Sequence, residues 1–260
     1  MQMLLRHILG YAPAQAVQAL VGFGTVAALT RLLSPEDYGR YALILVGTHF
    51  AHMLAFTWLE SALSRFHARA EAQGRLPNHL KTALAAYGII ALGLLTLGAG
   101  AIAALPLSPG YQAALSFALA KVVLAGGLKI ALVTRRAARE VGRGSAINAG
   151  VQLLGFVVGL GLVAFTPLGA AGVFAGLALA AATGLALEAP MLIGRSRSGA
   201  VQPRRLKLYA GYGAAVSVSL VFELTLYMGD RFVVAGVLGQ AATGVYAARY
   251  GVARRLIELV

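Results

Sequence analysis

The chain is built of apolar blocks near twenty residues long, and most of its basic residues lie in the short segments between them. About twenty such residues carry a helix across the roughly 30 Å of a bilayer's hydrocarbon. In lipid every backbone polar group must be satisfied internally, and runs of this length manage that as helices. Strand-type alternation, the mark of a membrane barrel, is absent from the sequence. Only 12% of residues are charged and 59% are hydrophobic, whereas a soluble domain carries about a quarter charged residues. The blocks fall at 8–30, 39–63, 83–105, 112–133, 146–165, 170–193 and 210–229, and an eighth begins near Ala241 and is still running at Val260. The expected fold is therefore an all-α polytopic membrane helix bundle.

The connecting segments alternate in charge. One set holds Arg6; Arg65, Arg69, Arg75 and Lys81; Arg135, Arg136, Arg139 and Arg143; and Arg195, Arg197, Arg204, Arg205 and Lys207, fourteen basic residues in all. The opposite set holds only Arg31, Arg40 and Arg231. Basic loops stay in the cytoplasm, which places the N-terminus there. The net charge of +13 is explained by this bias, and no nucleic acid is expected as a partner. With no cysteine, the chain offers no disulfide, thiolate zinc site or cysteine nucleophile. Met1 to Gly10 lacks the pattern of a removable signal, so the first span is expected to remain.

Ser34-Pro35-Glu36-Asp37 reads as a helix start: a serine cap, proline in the first turn, and acids over the positive end of the dipole. Gly126-Gly127 and Gly155-x3-Gly159 read as close helix packing. Gly22-x-Gly24 lies inside a span and follows no strand, so a nucleotide site is excluded there.

Self-comparison exposes a repeat. Leu33 to Ala42 aligns with Leu238 to Ala247, both reading Leu-x5-Gly-x-Tyr-Ala, at an offset of 205. Upstream, Leu5-Arg6 with Gly10-Tyr11 matches Leu206-Lys207 with Gly211-Tyr212, at an offset of 201. Six spans separate the copies, so both have the same orientation, the parallel-repeat arrangement of many transporters. The expected organisation is one complete six-helix lobe, residues 1–200, and the start of a second lobe, residues 201–260, cut short in its second helix.

The exit of the first span, Arg31-Leu32-Leu33-Ser34-Pro35-Glu36-Asp37-Tyr38-Gly39-Arg40-Tyr41-Ala42, resembles the N-terminal signature of bacterial polysaccharide biosynthesis flippases. These belong to the multidrug/oligosaccharidyl-lipid/polysaccharide transporter superfamily. Leu59 to Phe66 is similar to the family's second-helix ending, and Gly229 to Gly239 and Gly244 to Tyr250 are similar to its segments around helices seven and eight. One departure is Gly211-Tyr212-Gly213-Ala214-Ala215, where many members carry a proline-rich entry to helix seven. The resemblance implies export of an undecaprenyl-diphosphate-linked oligosaccharide across the bacterial inner membrane by alternating access. Its implied partners are that lipid-linked oligosaccharide, membrane lipids, and neighbouring polymerase and glycosyltransferases. A drug or other small-molecule exporter of the same superfamily is the alternative. An integral membrane glycosyltransferase is a weaker one, because the short loops opposite the basic set hold only the acids Glu36, Asp37 and Asp230.

Ionisable side chains inside a bilayer are costly and are functional candidates by default. A diphosphate headgroup is anionic, and lysine and arginine are its natural partners. Lys121, Arg249 and Arg31 are the candidates for a cationic cavity, and Glu223 for a coupling carboxylate, with a buried Lys121–Glu223 pair as the alternative reading. Lys129 reads as a snorkelling side chain, Glu60 and Glu188 as interfacial or arginine-paired acids, and Asp230-Arg231 as a surface anchor. His49 and His52, three apart, permit metal ligation or a proton relay but lack an evident carboxylate partner. No catalytic residue, metal or cofactor is expected. On this reading the 260-residue chain does not transport alone, because half of the cavity wall is missing; flipping of lipid-linked oligosaccharide by the purified chain in liposomes would refute it.

Overall fold

The computed structural model describes residues 2–257, and the side chains of residue 15, residues 17–251 and residue 253. The regular elements are α1 (Gln2–Leu32), α2 (Pro35–His52), α3 (Trp58–Ala72), α4 (Leu76–Ala104), α5 (Pro109–Ala137), α6 (Val141–Phe165), α7 (Ala170–Ser196), α8 (Pro203–Met228) and α9 (Asp230–Ile257). A π turn, Met53–Thr57, joins α2 to α3 in one continuous helix, Pro35–Ala72. Among the described residues there is no strand. Arg6 and the Leu5-Arg6 and Gly10-Tyr11 half of the second repeat match lie outside the described side chains, and residues 258–260 of the expected eighth span lie outside the described residues.

Five helices are long and apolar enough to cross a membrane: Pro35–Ala72, α4, α5, α6 and α7. They fit a multi-pass membrane protein. The apolar stretch of α1 is Val17–Leu32, and α8 and α9 are long enough but not among the helices apolar enough to cross. In α8 the reason is visible, since Tyr212, Ser217, Ser219, Glu223 and Thr225 interrupt its apolar run.

The helix starts and crossings follow from residue chemistry. Ser34 Oγ accepts the Asp37 N–H at 3.1 Å, and Pro35 opens α2, as its sequence announces. α7 packs between α5 and α6, where a Cβ on Gly176 would fall on the backbone of Gly159. One core joins α1, α2, α5, α7 and α9 around Leu29, Tyr41 and Phe174. The other joins α3, α4, α5, α7 and α8 around Leu59, Leu80 and Tyr209.

At the arginine-rich end, Arg135 clamps the fully buried Glu188 through Nε and, at 3.0 Å, through Nη2. Glu140, before α6, accepts from Arg195 and, at 2.5 Å, from Arg135. The Arg195 hydrogen bond chiefly holds its carboxyl below the usual carboxylate range. The connection between α7 and α8 is pinned to the head of α4: Ala200 N–H donates to Asn78 Oδ1 at 2.7 Å and Gln202 N–H to Thr82 Oγ1 at 3.0 Å.

The two segments matched at offset 205 pack on each other with reciprocal contacts. A Cβ on Gly39 would fall on the carbonyl of Gln240, and one on Gly244 would fall on the carbonyl of Pro35, the equivalent pair. Arg40 Nε adds a hydrogen bond to Gln240 Oε1 at 2.9 Å. Gly239, aligned with Ser34, breaks α9 with φ 84°, a left-handed value that glycine tolerates. Gly39→Ala and Gly244→Ala should each cost about 1–3 kcal/mol in detergent unfolding. Together they should cost less than their sum, since one contact is shared; unchanged stability in both would contradict this account of the crossing.

Candidate functional site

A cavity of about 510 Å³ lies among α1, α2, α5, α6, α7 and α9, reaching the end of α8. Its wall is mostly apolar, with Gln18, Thr25, Tyr38, Tyr41 and Gln152 supplying polar atoms. Two basic side chains face it, Lys121 from the middle of α5 and Arg231 from the start of α9. No carboxylate is among the described residues that line it. His49 of α2 also lines it, its Nδ1 2.8 Å from the Leu45 carbonyl. A smaller cavity of about 180 Å³ shares Gln18 and is lined by Lys129 and Arg136. Cations thus recur from the charge-poor end, through Lys121, toward the arginine-rich end.

Arg231 is in the cavity because its neighbouring acid is occupied elsewhere. Asp230 Oδ1 accepts the Arg231 backbone N–H at 2.8 Å, and Oδ2 accepts from the Tyr246 hydroxyl. Arg231 is only 7% exposed, and its guanidinium carbon lies 5.4 Å from the centre of the Tyr250 ring, a cation–π contact. Asp230-Arg231 is therefore not a surface anchor. The sequence did carry a signal: Arg231 is one of three basic residues on the side where the charge bias leaves few.

Of the four residues singled out by sequence, the cavity receives Lys121 alone. Arg249 is exposed on a face of α9 shared with Val245, Tyr246 and Tyr250. Arg31 is exposed in the last turn of α1, and Glu223 is exposed on α8. Among the described residues Lys121 and Glu223 form no ion pair. Glu188 is arginine-paired, as its place near the basic loops leads one to expect.

A cavity this size, with a lysine point charge, an arginine fork and no lining acid, suits an anion with phosphate-like oxygens. The five long apolar helices fit a multi-pass membrane protein, and four of them contribute to the wall of this cavity. The family model for polysaccharide biosynthesis proteins matches residues 4–258, and the chain belongs to that family. No curated protein and no solved structure matches it. Because the chain has no cysteine, Gln152→Cys offers a clean probe on the cavity wall. Relative to their rates with a free thiol in solution, a sulfonate-bearing methanethiosulfonate should modify it roughly tenfold faster than an ammonium-bearing one of similar size; equal relative rates would contradict a cationic interior.

Proposed function

We propose that this protein moves a polyprenyl-diphosphate-linked oligosaccharide across the bacterial inner membrane, as a transporter and not an enzyme. The observation that carries this reading is the pairing of Lys121 with Arg231 in a cavity lined by no described carboxylate. Family membership supports the polysaccharide side of the claim. The glutamines on the wall, Gln18 and Gln152, offer hydrogen bonds to sugar hydroxyls, and Lys121 and Arg231 offer charge-assisted bonds to the diphosphate.

In this reading residues 1–200 form a six-helix lobe and residues 201–260 open a second, with the N-terminus in the cytoplasm. The reciprocal Gly39 and Gly244 contacts support a repeat related by a pseudo-two-fold axis. Alternating access then separates α2 from α9 at the charge-poor end while the arginine-rich end closes. Arg31, Arg249 and Glu223 lie off the cavity and are given no part in headgroup binding. A cationic drug is a poor cargo for this chamber, because Lys121 and Arg231 repel it. A glycosyltransferase needs acids where the donor sits, and the described lining supplies none.

The test is surface polysaccharide in cells that depend on the full-length protein. Lys121→Ala and Arg231→Ala should each lower it by about tenfold or more at equal protein level, the loss of one charge-assisted bond of about 1.5–3 kcal/mol. Normal polysaccharide in both variants would overturn the reading.

A further inference from the structure

We propose that His52 and Glu60 form a proton-binding site inside the membrane, set where the α2–α3 helix packs against α8. Glu60 is 8% exposed, and its Oε1 lies 2.9 Å from His52 Nε2. That contact is an ion pair by distance but off the line of a hydrogen bond, and Oε1 has no other partner.

The π turn is what makes the pair. In an unbroken α-helix, residues eight apart stand about 80° apart around the axis. The wider turn Met53–Thr57 lies between His52 and Glu60 and brings them to one face. Such turns recur at functional sites. The carboxylate that the two histidines lack in the sequence is thereby supplied by the fold.

Two carboxylates are buried among the described residues, Glu60 and Glu188. Glu188 is held by Arg135, which does not give up its proton. The partner of Glu60 is an imidazole, which does. His49, one turn before His52, lines the large cavity, and the His52 side chain is itself 22% exposed. The cavity wall thus comes within one helical turn of the pair.

Among the described residues, no charged group of the packed elements forms an ion pair with either residue. From α4, Tyr87 lies against Phe56 and donates to the Val123 carbonyl at 3.0 Å, while His79 is bonded to Tyr209 and the Leu63 carbonyl. From α5, Lys121 faces the cavity and Lys129 is exposed. From α8, Tyr209 and Tyr212 lie against Phe66, and Glu223 and Tyr227 are exposed. None of these forms an ion pair with His52 or Glu60. α8 meets this region through Gly213, where a Cβ would fall on the Trp58 carbonyl.

With its proton, held by the imidazole or by the carboxyl, the pair is neutral in sum. Release of that proton leaves a neutral imidazole beside a bare buried carboxylate, a state that closely packed surroundings disfavour. Loading and release thus favour different packings of α8 on the π turn. Use of this proton to drive cargo rests on the export reading above; the site itself does not.

Infrared difference spectroscopy of the purified protein in lipid vesicles tests it across about pH 5 to 8. Carboxyl and imidazole bands should titrate together, as a coupled pair, and the carboxyl change should vanish in Glu60→Gln. His52→Gln, which keeps Glu60, should move the carboxyl midpoint by about one pH unit or more, whereas Glu223→Gln and Lys121→Ala should leave it in place. No titrating carboxyl band, a band that survives in Glu60→Gln, or an unmoved midpoint in His52→Gln overturns the proposal. Intact titration with transport unaffected by Lys121→Ala and Arg231→Ala counts against the export reading alone.

Discussion

Two backbones touch where α2 crosses α9, and they touch because neither Gly39 nor Gly244 has a side chain. In lipid there is little hydrophobic force between helices, so close packing and hydrogen bonds must hold them together. The glycine contact supplies the first, and Arg40 with Gln240 supplies the second. The remaining geometry follows from that approach. It places Ala247 and Gly251 of α9 on the cavity wall with α1 and α2. The break at Gly239 separates this part of α9 from its opening turns, which carry Arg231.

Charge is distributed on the same economical plan. The buried Glu188 is neutralised by an arginine of a neighbouring helix, and Asp230 is taken up by a tyrosine and a backbone amide. With those acids occupied, Lys121 and Arg231 reach the cavity without a carboxylate to cancel them. Glu60 is the exception, paired with a group whose own charge is exchangeable. The two basic side chains of the cavity lie on α5 and α9, and the exchangeable pair lies on the α2–α3 helix.

Much of this was legible in the sequence, and the parts that were not share a cause. Five of the seven complete spans, the Ser34 helix start and the mid-helix placement of Lys121 all depend on local pattern, and local pattern persists in the fold. Arg231 was hidden because its fate depends on Tyr246, sixteen residues on, which removes Asp230 from the account. The His52–Glu60 pair was hidden because helical spacing assumes a constant turn, and the π turn changes it. Glu223 and Arg249 were read as interior because their helices are apolar, but period alone does not say which face of α8 or α9 meets a neighbour.

The connection between α7 and α8 carries a mechanical consequence. Because Ala200 and Gln202 are fastened to Asn78 and Thr82, the segment is no slack tether. It acts as a crank: any swing of α8 is transmitted as torque on the first turns of α4, and α4 in turn bears on α5, the helix that presents Lys121.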